Sequence, residues 1–149
     1  MVHFRRMRLS DLDRIYRDPE IRPLITTSYK GNSFAVIIEQ EGDIIGGVSG
    51  YAVDNAAFVL TMVLKEVGEY SAYIDGLIRS LIHFLELDGL DLLLIKGDGD
   101  ESLYSSIGFH KLHGTEKFLD KQKEQIQEAF QEGTIYWIDL RKFFAKHQK

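Results

Sequence analysis

The stretch Tyr70–Ile95, YSAYIDGLIRSLIHFLELDGLDLLLI, decides the architecture. Ile74, Leu77, Ile78, Leu81, Ile82 and Leu85 recur at helical spacing and form the apolar stripe of a helix packed on one side. Gly76, Arg79, Ser80, His83 and Glu86 take the other face. Gly89 stands where a left-handed residue ends a helix. Leu90–Ile95 then runs almost without a polar break, as expected of a central strand buried on both faces.

Upstream the period is that of strands. His3–Met7, Ser33–Gln40, Ile44–Val53 and Ala57–Leu64 read as strands, the last three joined by tight turns at Glu41-Gly42-Asp43 and Asp54-Asn55. Ser10 followed by Asp11 and Asp13 predicts an N-cap and an early helix. Both prolines, Pro19 and Pro23, lie in the broken segment after it. Downstream, a short helix over Glu101–Ser106 leads to a strand over Phe109–Leu112. A helix over Thr115–Gln131 then carries Phe118, Ile126 and Phe130 on one stripe, with Gly133 as its stop. Thr134–Leu140 closes the sheet, and Arg141–Lys149 is a basic tail. Hairpins, a strand–helix–strand crossover and a late helix together predict an α+β fold. It has one mixed, mostly antiparallel sheet with helices on both faces, formed by a single domain over 1–149.

Composition narrows the chemistry. The 149 residues are 44% apolar, enough for a sizeable core. The absence of cysteine excludes disulfides, thiol nucleophiles and cysteine metal sites. A formal charge of −5 speaks against binding nucleic acid through phosphate contacts. The longest apolar run, Ala56–Leu64, falls far short of the roughly 20 residues of a spanning helix. The N-terminal MVHFRRMRLSDLDR is charged and has no cleavage signal, so the expectation is a cytoplasmic, non-membrane domain.

Leu103-Tyr104-Ser105-Ser106-Ile107-Gly108-Phe109 resembles the L-Y-x-x-x-G-F signature of the GNAT superfamily of acyl-CoA-dependent N-acetyltransferases. The order of elements over His3–Leu112 is similar too, and Thr115–Gln131 looks like an insertion before the family's last strand. The resemblance implies transfer of an acetyl group from acetyl-CoA to a primary amine by direct attack in a ternary complex, without metal. The acceptor would be a small molecule or a protein, and a homodimer is compatible with it. Tyr104 would be the acid at the departing sulfur. A backbone N–H near Val63 or Leu64 would meet the developing oxyanion. The cofactor's pyrophosphate would lie on Glu69, Tyr70, Ser71, Ala72, Tyr73 and Ile74, where a loop opens the long helix and backbone N–H groups are unpaired.

Two loops depart from the family pattern. Glu69 replaces a glutamine or arginine, Ala72 a glycine, and Ile74 a small residue. Gly97 stands where the family has an asparagine, and Asp100 where it has an alanine. A scaffold that has lost the chemistry and binds a ligand or protein is therefore the alternative. No base is evident: Ala57–Leu64 carries no carboxylate or histidine, Glu66 lies just downstream, and Asp43 and Asp54 sit at turns. Other constellations fail on spacing. Tyr51 occupies the second glycine position of a nucleophile elbow around Ser49. Leu103 stands where a calcium loop starting at Asp98 requires glycine. His110 and His113 would not share a face of a strand.

Overall fold

The computed structural model describes residues 1–25, 31–65, 70–97, 101–131 and 133–142. Among the described residues seven strands form one sheet: β1 (Val2–Arg6), β2 (Asn32–Gln40), β3 (Asp43–Val53), β4 (Ala56–Leu64), β5 (Leu92–Gly97), β6 (His110–Lys111) and β7 (Thr134–Asp139). Their order is β1-β2-β3-β4-β5-β7-β6. Only β4 and β5 pair in parallel; every other neighbour is antiparallel. The α-helices bounded within the described residues are α1 (Leu12–Arg17), α2 (Tyr70–Leu87), α3 (Glu101–Ile107) and α4 (Leu119–Ala129). The expected α+β architecture is thus present, with α2 as the crossover between β4 and β5.

Burial explains the layers. All six stripe residues of α2 are at most 1% exposed. They pack on Val36, Val48, Ala57, Leu93 and Ile95 in the main core. Each such side chain contributes roughly 1.5–3 kcal/mol by leaving water. Leu92 and Leu94 belong instead to a cluster with Phe58, Ile126 and Phe130 under α4. Alternation along β5 therefore buries both faces, as its apolar run predicted. Between β2 and β3, Glu41 and Gly42 both have positive φ (53° and 84°), the conformation of a two-residue hairpin turn whose twist matches the strands.

Several boundaries differ from the sequence expectation, each for a physical reason. Gly76 is not on the open face: a Cβ there would come within 2.6 Å of the Phe4 ring, so glycine lets β1 pack against α2. Thr134–Asp139 does not close the sheet at its edge but lies between β5 and β6. The strand expected at Phe109–Leu112 shrinks to two residues because the Phe109 N–H still bonds back to the Tyr104 carbonyl (3.0 Å). The helix expected from Thr115 begins at Leu119. Ahead of it, the Glu116 carboxylate accepts N–H bonds from His113 (2.9 Å), Gly114 (2.8 Å) and the Trp137 indole (3.2 Å), which holds the preceding residues in a capping loop. The basic tail beyond Lys142 lies outside the described residues.

Ser10 does not cap the first helix either. Asp11 does the work: its carboxylate accepts the Arg8 N–H (2.7 Å) and a bidentate pair of bonds from the Arg5 guanidinium (2.8 and 2.9 Å). Arg5 also reaches Glu39 (3.1 Å), and Arg14 joins Asp11 (3.3 Å). Asp11 is 2% exposed. Its bond to Arg5, ahead of the backbone bond from Arg8, holds the carboxyl far below the ordinary aspartate range despite burial. This network pins the start of α1 against β1 and β2.

Asp11→Ala is expected to destabilise the fold by about 3 kcal/mol in urea unfolding, because it leaves the largely buried Arg5 guanidinium with Glu39 as its one carboxylate partner among the described residues. The Asp11 carboxyl is depressed in the folded chain. Its contribution is therefore complete above the ordinary aspartate value of 3.8 and is lost as pH falls below it. Unfolding free energies measured from pH 6 down to about pH 2 should fall more steeply for the parent than for Asp11→Asn.

Candidate active site

The site begins with a mismatch between strands. β4 pairs with β5 only over Ala56–Val59, opposite Leu92–Ile95. On its other edge the register of β4 with β3 jumps: Gly50 faces Val59, but Ser49 faces Thr61. Leu60 is the extra residue of a β-bulge, and such an insertion bends a strand and raises its twist. Beyond it, β4 stays on β3 and leaves β5. A cleft of about 670 Å³ opens there.

The bulge also reverses which side chains face which layer. Ala57 and Val59 pack toward α2, and so do Met62 and Leu64; Val63 joins the opposite cluster of Ile15, Leu24 and Ile37. The backbone alternates likewise. The Lys65 N–H donates to the Ile45 carbonyl (2.8 Å). With the observed register, the N–H groups of Val63 and Thr61 then point to β3, and those of Met62 and Leu64 to the side that β5 has vacated. Of the two expected oxyanion donors, Leu64 faces the open side and Val63 the β3 ladder.

The cleft passes through the sheet. On one side Tyr70 and Ile74 of α2 line it; on the other stand Thr61 and the end of α4 with Phe130 and Gln131. α2 opens at this point, where its first N–H groups have no intrahelical acceptor. Tyr70 and Ile74 are four residues apart and share the cleft-facing side. Ile74 is 1% exposed and packs in the main core. Ser71 and Ala72 are exposed, and the Tyr73 hydroxyl accepts a bond from Gln40 (3.2 Å), away from the cleft. Glu69, like Glu66, lies outside the described residues.

Tyr104 lines the cleft from α3 and is 4% exposed. Its ring stacks on Tyr136 (centroids 4.8 Å apart, planes 17° apart) and meets the edge of Phe109 (5.6 Å, 78°). Gly108, at φ +124°, ends α3 and turns the chain so that its N–H and that of Phe109 both bond the Tyr104 carbonyl. Burial, followed by the charge of Glu101, pushes the Tyr136 phenol up. The L-Y-x-x-x-G-F segment thus has a mechanical content: one tyrosine fixed by a left-handed stop and by two aromatic neighbours.

Gly97 acquires a reason here. A Cβ on it would lie 2.5 Å from the Tyr136 ring and 2.9 Å from the Tyr104 ring. Glycine at this position admits the stack. Thr61, Lys96 and Gln131 also line the cleft and were not anticipated. The only sequence signal for the first is that it is the one polar residue of Ala56–Leu64. Among the described residues no group of three or more potential metal ligands stands together. The His110 ring lies against Trp137 (centroids 4.8 Å apart, planes tilted by 41°) near the sheet edge, and neither residue lines the cleft.

No family model and no curated protein matches this sequence. Solved structures do. An acetyltransferase of the GNAT family from Staphylococcus aureus is 10% identical, with a TM-score of 0.60 over 94% of this chain and 99% of its own. The chain has the GNAT fold. The N-acetylglutamate synthase of Neisseria gonorrhoeae, complexed with coenzyme A and N-acetyl-glutamate, is 15% identical with a TM-score of 0.66 over 94% of this chain. This GNAT-fold chain spans only 35% of that synthase. Mutant forms of the spermidine/spermine N-acetyltransferase of Vibrio cholerae reach 0.66 at 13% identity, over 99% and 100% of the two chains. Among the described residues no helix is long and apolar enough to cross a membrane.

Gly97→Ala is expected to force the tyrosine stack apart and to cost about 1–3 kcal/mol in thermal unfolding, as overpacking of a filled core does. The near-ultraviolet circular dichroism of the tyrosines should change with it.

Proposed function

We propose that this chain is an N-acetyltransferase that moves an acetyl group from acetyl-CoA to a primary amine of a small-molecule or protein acceptor. The observation that carries this reading is the divergence of β4 from β5 at Leu60. It leaves a through-going cleft with backbone donors on one wall and a fixed tyrosine on the other. The described residues suit acetyl-CoA. The opening turn of α2, from Tyr70, presents N–H groups that lack an intrahelical acceptor, the kind of group that binds a diphosphate. The vacated edge of β4 can pair with the amides of an extended pantetheine arm, as an exposed strand edge pairs with a peptide.

When bound, acetyl-CoA supplies an activated acetyl thioester. The N–H groups of Met62 or Leu64 are the donors for the carbonyl oxygen as it gains charge, a role that survives side-chain change because it belongs to the backbone. The Tyr104 hydroxyl is the proton donor at sulfur. The Tyr136 stack and the Phe109 edge restrict its ring to one orientation, which is what a positioned acid requires. The amine enters from the mouth opposite α2, between the Arg22–Leu24 turn and the end of α4. The similar structures include an N-acetylglutamate synthase and a spermidine/spermine N-acetyltransferase, which supports an amine acceptor.

A second reading, a scaffold that binds without catalysis, is favoured by one observation: no carboxylate or histidine is among the described residues lining the cleft. Thermal unfolding with acetyl-CoA separates the two. At about 100 times its dissociation constant a ligand adds roughly 2.7 kcal/mol, a rise of several degrees in Tm for a domain of this size. Tyr104→Phe should keep that rise while lowering kcat by about 10- to 100-fold, in the range of losses seen for a general acid. Unchanged turnover in Tyr104→Phe would remove the assigned role; no rise in Tm at millimolar acetyl-CoA would favour the scaffold reading.

A further inference from the structure

Lys96 is the one charged side chain among the described residues that line the cleft. β5 decides which wall it stands on. Along that strand Leu92 and Leu94 face α4, and alternation sends the next such residue, Lys96, to the same side. Its partner across the sheet, Ile135 on β7, packs with the α4 cluster too, and directly opposed residues in adjacent strands share a face. The stem of Lys96 crosses Gly133, just beyond α4: a Cβ on that glycine would come within 2.4 Å of Lys96 Cε. After four buried residues of β5, Lys96 is exposed. It forms no ion pair with any described carboxylate. Its neighbours on this wall are Thr61, Phe130 and Gln131, whereas Tyr70 and Ile74 line the opposite, α2 side.

On the reading of the cleft as an acetyl-transfer site, this wall belongs to the mouth assigned to the acceptor. A fixed ammonium there sorts amines by what else they carry. A second cation on the acceptor meets like charge, and no described carboxylate lines the cleft to offset it. A carboxylate meets opposite charge and a charge-assisted N–H donor. The Thr61 hydroxyl and the Gln131 amide are further donors that a carboxylate can use, and Phe130 offers apolar surface to the body of the molecule. We infer that Lys96 anchors a carboxylate on the acceptor, so that the substrate is a primary amine of the amino-acid class and not a polyamine. Lys96 is in this role a specificity-determining residue. It takes no part in holding the diphosphate, whose assigned donors lie across the sheet at the start of α2.

The test uses the whole chain, the parent beside Lys96→Met, which keeps the stem over Gly133 without its charge, and Lys96→Arg, which keeps the charge. Thermal unfolding is recorded alone and with acetyl-CoA. CoA release is followed with acceptors matched in skeleton: phenylalanine against phenethylamine, and 4-aminobutanoate against butylamine and putrescine. The parent is expected to favour the carboxylated member of at least one set by kcat/KM. In Lys96→Met that preference should shrink by about five- to tenfold, the scale of one charge-assisted hydrogen bond in an open site. The same variant should gain about two- to fivefold on putrescine, because a like charge has gone. Lys96→Arg should retain most of the preference, and KM for acetyl-CoA should stay at the parental value in both. Comparing ratios between variants cancels the differing basicity of the amines. A parent that turns over amines without favouring a carboxylate overturns the assignment, as does a preference unchanged in Lys96→Met. A rise in KM for acetyl-CoA that accounts for the loss overturns it too, since the charge would then serve the cofactor. So does a parent that binds acetyl-CoA yet acetylates neither carboxylated amine. A parent with no acetyl-CoA rise in Tm fails the acetyltransferase reading itself, and the Lys96 anchor falls with it.

Discussion

β4 is held to β5 by four residue pairs and is then carried away by one extra residue, Leu60. The rest of the molecule depends on that departure. A sheet that stayed paired would satisfy its own N–H groups and leave no space between its central strands. The bulge instead leaves an unpaired edge, opens the cleft and exchanges the faces to which Thr61, Met62, Val63 and Leu64 project. α2 then starts beside the opening because the crossover must leave the end of β4 and return to β5. A helix N-terminus and a free strand edge are thereby brought together by topology, not by any one side chain.

Two groups of contacts hold the walls of this opening. On one side the Arg5–Asp11–Glu39–Arg14 network fastens α1, and Lys65 at the end of β4 pairs with Asp18 just beyond that helix. The pairing lowers the Asp18 carboxyl and raises the Lys65 ammonium. On the other side Tyr104, Tyr136 and Phe109 form an aromatic group in which Gly97 supplies the missing volume. The departure from the family pattern at Gly97 therefore has a packing cause: a side chain there would compete with the ring that lines the cleft. Loss of an asparagine at this point is compatible with a working site.

The helical stripe of α2, the doubly buried β5 and the turn at Glu41-Gly42 were all legible in the sequence. Each expresses a local rule: a period of 3.6, a run without alternation, or a residue pair that tolerates positive φ. The Leu103–Phe109 segment was legible as a motif, and the structure adds why its tyrosine, glycine and phenylalanine occur together. The first helix was less so. Ser10 looked like the cap because local propensity favours serine there, but the long-range bond from Arg5 draws Asp11 into that work.

By itself, then, the sequence determined the elements, their order and the position of Tyr104, because local period and local turn chemistry report how each segment is buried. The tertiary structure alone decided the site. Ala56–Leu64 is apolar almost throughout, so nothing in its pattern marks the bulge, and the change of face at Leu60 appears only when β3 and β5 set the register on either side. The approach of Phe130 and Gln131 to the cleft, and the placement of Lys96 on the same wall, are likewise matters of contact between residues distant in the chain. Such contacts follow from strand pairing and helix docking, and leave no periodic trace in the segments that make them.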